Sequence, residues 1–242
     1  MDENALRVAE KAHARFKPDR TIIGGDLLNC APFSAHPAKG FDDAAEADYL
    51  VTEIDPANAF LDRISRNTGA GGVDFIEGNH DQWFERWLSR QKNGKALRSM
   101  SPRKLLSKGR TNFRYIPYFE PKGGRMPHVK LAPDLIVIHG WCSPKYAAQH
   151  HMDRAKDVSV IFHHTHRADK RWAKTWKGRP IMAMSAGCLC KLIPTYASGG
   201  NPSNWVHGFW VAYIGRRNWT VYDVLISENY ETVLPDGSEV RA

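Results

Sequence analysis

The segment Val73-Asp74-Phe75-Ile76-Glu77-Gly78-Asn79-His80-Asp81 runs a strand pattern straight into a reactive turn. Val73 to Ile76 is short and β-rich, as a strand buried in a sheet should be. Gly78 permits a sharp turn, and the next three side chains can bind metal or transfer protons. The same order recurs along the chain. Thr21-Ile22-Ile23 stops at Gly24-Gly25-Asp26, Leu135-Ile136-Val137-Ile138 at His139-Gly140, and Val158 to Phe162 at His163-His164-Thr165-His166. Loops at the carboxyl ends of strands are where α/β sheets place their ligands.

Around these runs the pattern is α/β. Residues 3–16 read as a helix with Ala5, Leu6, Ala9, Ala12 and Phe16 on one face, ended by Lys17-Pro18. Asp55-Pro56 reads as an N-cap followed by proline at the first helical position, opening a helix that carries Ala59, Phe60 and Ile64. Residues 181–185, 210–214 and 219–226 read as later strands, the last two joined by a hairpin turn at Gly215-Arg216-Arg217-Asn218. Helix–strand alternation followed by consecutive strands predicts mixed sheets with helices outside. No internal repeat or long linker is present, so a single domain over 1–242 is expected.

Composition narrows the class. The 242 residues are 42% hydrophobic and 25% charged, which is globular and excludes disordered and fibrous chains. No apolar run approaches the roughly 20 residues of a membrane helix. Met1-Asp2-Glu3-Asn4 is acidic and lacks the apolar region of a signal peptide. Cys30, Cys142, Cys188 and Cys190 form no readable disulfide framework or zinc knuckle and are read as packing residues, with a cytoplasmic location the default.

The net charge of +8 is unevenly spread. Residues 82–125 hold 12 Lys or Arg against 2 Asp or Glu, so the remainder of the chain is slightly acidic. Arg86 and Arg90 interleave there with Trp83 and Trp87, a pattern that suits a phosphate backbone with stacked bases. A second basic stretch, Arg167 to Arg179, has Trp172 and Trp176 at helical spacing.

Carboxylate, amide oxygen and imidazole together suit divalent Mn, Fe, Ni or Zn. The order Gly-Asp, Gly-Asn-His-Asp, His, then His-Thr-His resembles the calcineurin-like metallophosphoesterases, over roughly residues 3–226. The resemblance implies a four-layer αββα sandwich with mixed β-sheets and a two-metal centre, most readily of Mn. It implies that Asp26 bridges both ions, that Asn79, His139 and His164 complete one site and that His166 binds the second ion. His80 would be the catalytic histidine and Asp81 would orient it. The activity implied is phosphoester hydrolysis, and the basic segment favours a phosphodiesterase or nuclease. The alternatives are an inactive relative that binds nucleic acid and a phosphatase of small phosphorylated substrates.

Two departures stand out. The family opens with a strand ending in Asp-x-His ahead of the helix at 3–16, and no such pair precedes that helix here. The second ion then keeps only Asp26 and His166. Losing a central strand would strip its neighbours of ladder bonds and packing, so an N-terminally incomplete chain is expected over a one-metal variant or an inactive relative. The family's Gly of Gly-His-x-His is His163 here, read as a packing or supporting residue. His36 is a candidate for the substrate mouth, and His150-His151 reads as a surface pair.

Overall fold

A computed structural model describes residues 1–34, 50–92, 98–118, 126–193 and 204–242. The chain is mixed α/β and divides into two compact units, Lys17–Pro127 and Met1–Phe16 with His128–Ala242.

The 17–127 unit is built on three parallel strands, β1 (Arg20–Ile23), β2 (Gly72–Ile76) and β3 (Phe113–Ile116), in that order. β2 is central and buried throughout, which is why its sequence is a continuous apolar run around one acid. That acid, Asp74, accepts hydrogen bonds from the guanidinium groups of Arg20 on β1 and Arg114 on β3, each at 2.7 Å from Nε. Two cations flanking the buried carboxylate offset its desolvation. Phe75 packs against Phe113 and Tyr115. Helix α2 (Asp55–Arg66) buries Ala57, Phe60, Leu61 and Ile64. Its N-cap is Ile54 rather than Asp55, because a preceding π turn (Leu50–Ile54) already has helical backbone. Helix α3 (Asp81–Arg90) starts five residues after β2 ends, and a short helix α4 (Pro102–Ser107) precedes β3.

The other unit has a five-stranded sheet and two antiparallel pairs. Its strands are β4 (Val129–Ala132), β5 (Leu135–Val137), β6 (Ser159–Ile161), β7 (Ala168–Lys174) and β8 (Pro180–Ala186), in the order β4-β5-β6-β8-β7. β5, β6 and β8 are parallel, and the two edge strands run antiparallel to them. Helix α5 (Ala147–Ala155) buries Ala147, Ala148, His151 and Met152. The pairs are the hairpin β9 (Gly208–Ile214) with β10 (Trp219–Leu225) and the ribbon β11 (Glu231–Val233) with β12 (Glu239–Arg241).

Helix α1 (Glu3–Phe16) closes over these C-terminal strands. Asp2 caps it, accepting from the backbone N–H of Asn4 and Ala5 at 3.1 and 3.0 Å. Ala5 and Val8 pack with Ile226, and Ala12 packs with Val224 and Leu234. Val8, rather than the expected Ala9, lies on the fully buried side. No helix among the described residues is long and apolar enough to cross a membrane.

Candidate functional site

In the 17–127 unit, adjacent parallel strands β1 and β2 deliver their loops side by side. Asp26 sits in left-handed backbone at φ 54°, three residues after β1. Its backbone N–H donates to Asp81 Oδ2 at 2.8 Å, and its Oδ1 accepts from the His80 backbone N–H at 2.9 Å. Asp81 is fully buried and also accepts from the N–H groups of Leu28 (2.9 Å) and Gly78 (2.8 Å). Asp81 therefore ties the loop after β1 to the loop after β2 through three backbone donors. Asn79 is half-buried in the turn between Gly78 and His80.

The His80 ring takes its orientation from a carbonyl. Its Nδ1 lies 3.0 Å from Asn29 O, and Trp83 covers the ring at 4.0 Å between centroids. With Nδ1–H donated to that carbonyl, Nε2 is the nitrogen left for chemistry. Asn29 and Cys30 are in turn held by Glu53, whose Oε2 accepts their N–H groups at 2.6 and 2.9 Å. Burial pushes the Glu53 carboxyl up, against the lowering effect of those two bonds. Glu53 is a supporting residue that the sequence did not single out, since nothing near it in the chain marks a partner 23 residues upstream.

In the other unit, neighbouring parallel strands β5 and β6 end together. The His163 N–H bonds the His139 carbonyl at 2.8 Å, and this locks the two loops in register. His139 is buried, and its ring meets that of His164 edge-on, centroids 5.2 Å apart at 70°. His164 and His166 both have left-handed backbone, at φ 68° and 59°. Gly140, at φ +107°, makes this approach possible. A Cβ there would lie 3.1 Å from His151 Nε2, 3.2 Å from His163 O and 3.3 Å from His164 Cβ.

His163 has both ring nitrogens engaged, Nδ1 with Ile138 O at 2.9 Å and Nε2 accepting from Trp210 Nε1 at 3.1 Å. That is a brace between β5 and β9. His151, expected at the surface, is fully buried. It stacks on Phe162 at 4.0 Å and 9°, and its Nδ1 bonds Ala147 O at 2.7 Å. Desolvation brings it down to about 4, so it is a neutral imidazole at neutral pH.

Cys188 and Cys190, expected as packing residues, lie with His166 in a group whose ligand atoms are all within 4.8 Å of one another. The two sulfurs are 3.4 Å apart, and Cys190 Sγ is 3.6 Å from His166 Nδ1. The hydrogen bond shared with Cys188, and after it His166, hold the Cys190 thiol down at about 5 against its burial. The same shared bond pushes Cys188 up. This residue group could bind a metal ion.

The second basic stretch is strand β7 and not a helix, with Trp172 more than half exposed and Trp176 wholly exposed beyond its end. Neither tryptophan is core. The described residues of 82–125 hold most of α3, a 3₁₀ turn (Arg98–Met100), α4 and β3. Its charge is partly spent internally. Arg114 pairs with Asp74, and Arg110 holds Asp62 at 2.5 Å as well as Asn58 and the Leu106 carbonyl. Arg98, Lys104 and Lys108 are exposed and line a groove with Ser99 and Ser107. His36 lies outside the described residues.

No family model matches the chain, and no curated protein sequence matches it significantly.

Proposed function

We propose that the chain is a metal-dependent phosphoester hydrolase with a two-metal centre of the kind its motif order resembles, and that its substrate is a phosphodiester or nucleic acid. The observation that carries this reading is a shared construction. In each unit the loops following two adjacent parallel strands converge, and they bear Asp26 with Asn79-His80-Asp81 in one unit and His139 with His164 and His166 in the other. The four-layer αββα arrangement belongs to the same proposal.

The donor set fits a metal. Two imidazoles on one ion, at metal–nitrogen distances of about 2.0–2.1 Å and ligand angles of about 90–110°, put ring centroids about 4.5–5.3 Å apart. His139 and His164 stand at 5.2 Å. In the proposal Asp26, Asn79, His139 and His164 hold one ion, and Asp26 and His166 contribute to a second. Bound there, such ions supply Lewis acidity towards the phosphoryl oxygens and a water acidified for attack. The chain's own residues do the rest. His80, fixed by the Asn29 carbonyl, donates a proton from Nε2 to the leaving oxygen or offsets charge on the phosphoryl group. Asp81 acts on the backbone of Asp26 and Gly78, positioning the acid and the Asn79-His80 turn. The exposed cations at Arg98, Lys104 and Lys108 supply a surface for a polyanion.

The test is Mn²⁺-dependent hydrolysis of bis-p-nitrophenyl phosphate by the full chain beside Asn79→Ala and His80→Ala. Turnover abolished in the first and cut by about 10²-fold or more in the second supports the reading. Absence of turnover, or turnover that both variants retain, overturns it. Salt-sensitive DNA binding without turnover would instead identify a non-catalytic nucleic-acid-binding protein.

A further inference from the structure

We propose that His166, Cys188 and Cys190 form a thiolate-rich divalent-metal site selective for Zn²⁺-like ions, with three protein ligands and a fourth position open to water or substrate. For a tetrahedral zinc with Zn–S about 2.3 Å and Zn–N about 2.0–2.1 Å, the edges of the tetrahedron are about 3.75 Å for S···S and about 3.5 Å for S···N. The corresponding distances here are 3.4 Å between the two sulfurs and 3.6 Å between Cys190 Sγ and His166 Nδ1. All three ligand atoms lie within 4.8 Å of one another, and all three residues are half-buried.

The donors are also held by backbone. Cys188 forms a bridge with His207, its N–H bonding Val206 O at 3.0 Å and its C=O accepting from Gly208 N–H at 3.1 Å. The Val206 N–H bonds His166 O at 3.0 Å, and His207 Nε2 meets Cys190 O at 2.9 Å. One short segment, Val206 to Gly208, thus fixes the backbone of all three donors. Trp205 meets the His166 ring edge-on, centroids 4.2 Å apart at 68°. His166 has left-handed backbone in the turn that aims its ring at the sulfurs.

Two soft thiolates and one imidazole favour Zn²⁺ over the harder Mn²⁺ that carboxylate and amide ligands accept. Binding takes both sulfurs as thiolates, and any thiol protons leave to the buffer. Three protein ligands leave an open position, the pattern of catalytic rather than purely structural zinc. The inference goes beyond the proposed function at one point: the two thiolates, and not Asp26, are the partners of His166 on its ion. It rests on that reading only for the ion's catalytic use.

The experiment is a Co²⁺ titration of the full chain, stripped of metal and with its four thiols counted as reduced. The expected result is a sulfur-to-cobalt charge-transfer absorption saturating at about one equivalent, displaced by Zn²⁺. Cys188→Ser and Cys190→Ser each abolish that absorption, His166→Gln weakens binding about tenfold or more, and His139→Ala leaves it in place. Should the cysteine variants fail to fold, mass-mapped alkylation of the unaltered chain replaces them, with Zn²⁺ slowing modification of Cys188 and Cys190 but not Cys142. No charge-transfer absorption, absorption that survives both cysteine changes, or thiols that Zn²⁺ does not protect overturns the site. Failure of hydrolysis alone leaves these optical and alkylation readouts unchanged, so the two proposals fail separately.

Discussion

Asp81→Ala is the substitution whose cost is best determined by the geometry. The carboxylate accepts three backbone N–H groups at 2.8–2.9 Å, and the donors of Leu28 and Gly78 are buried while that of Asp26 is half-buried. Each hydrogen bond to a charged acceptor contributes about 1.5–3 kcal/mol, and a buried donor left unpaired costs about 1–3 kcal/mol. Water can reach the Asp26 amide, so two full losses and one partial loss are expected, or about 3–5 kcal/mol in all. Asp81→Asn is milder. Oriented with its oxygen towards Asp26 and Gly78, the amide keeps two bonds and turns an NH₂ against the Leu28 N–H, at about 2 kcal/mol. Urea unfolding followed by Trp fluorescence reads the energy, and amide hydrogen exchange reads its location. Exchange at Asp26, Leu28 and Gly78 should accelerate together in Asp81→Ala, because one anchor serves all three. A loss below about 1 kcal/mol at unchanged m-value, or faster exchange at only one of the three amides, refutes the clamp.

Four further outcomes follow from particular contacts. Gly140→Ala, strained at φ +107° and crowding His151 and His164, should destabilise by about 1–3 kcal/mol and lower turnover per folded molecule; denaturation with the hydrolysis assay checks both. His163→Ala removes two braces and should cost about 1–3 kcal/mol, yet it should leave metal affinity intact by titration calorimetry, unlike His164→Ala. The buried His151 is depressed from the ordinary 6.5 to about 4, so the unfolded chain binds its proton more tightly. Its contribution is present above about pH 6.5 and lost as pH falls towards 4, by at most about 3 kcal/mol, a slope that His151→Phe should flatten and that a ring titrating near 6.5 by NMR would exclude. If DNA lies along the exposed groove, replacing Arg98, Lys104 and Lys108 with Gln should reduce the slope of log affinity against log salt by about 2.7, and an unchanged slope removes that surface from consideration.

Most elements were legible because their signals are local. The helix at 3–16 has an acidic cap and an apolar stripe, and the runs at 21–23, 73–76, 135–138 and 158–162 carry β-branched residues up to a turn. Strand β7 was not legible, since Ala-Asp-Lys-Arg-Trp-Ala-Lys has no buried residue. As an edge strand it is held by pairing with β8, and its polar side chains face water. His151 looked like a surface residue because the rings that bury it, Trp141 and Phe162, belong to other elements. The cysteine group is not legible from spacing. Cys-x-Cys lacks the usual finger pattern, and the partner that makes it a candidate ligand set is His166, 22 and 24 residues upstream. Glu53 was invisible for the same reason, since its role lies in the loop at Asn29 and Cys30.

The backbone supplies a second line of argument for the site, independent of motif order. Seven non-glycine residues among those described have positive φ, and three of them are Asp26, His164 and His166. Left-handed backbone costs an L-residue about 1–2 kcal/mol, so the three together forgo about 3–6 kcal/mol, a sum comparable with the whole margin of a small domain. Glycine would avoid that cost at each position, and Gly25 and Gly140 show that these same loops accept it. What glycine lacks is a carboxylate or an imidazole, so the side chain rather than the turn accounts for the residue present. The strain persists only where neighbouring bonds over-determine it. Around Asp26 those bonds are the Asp81 and His80 contacts, and around His166 the Val206 amide. On this argument Asp81 acts through the Asp26 backbone, and loss of Asp81 would release Asp26 before it affected the His80 ring, which the Asn29 carbonyl holds separately.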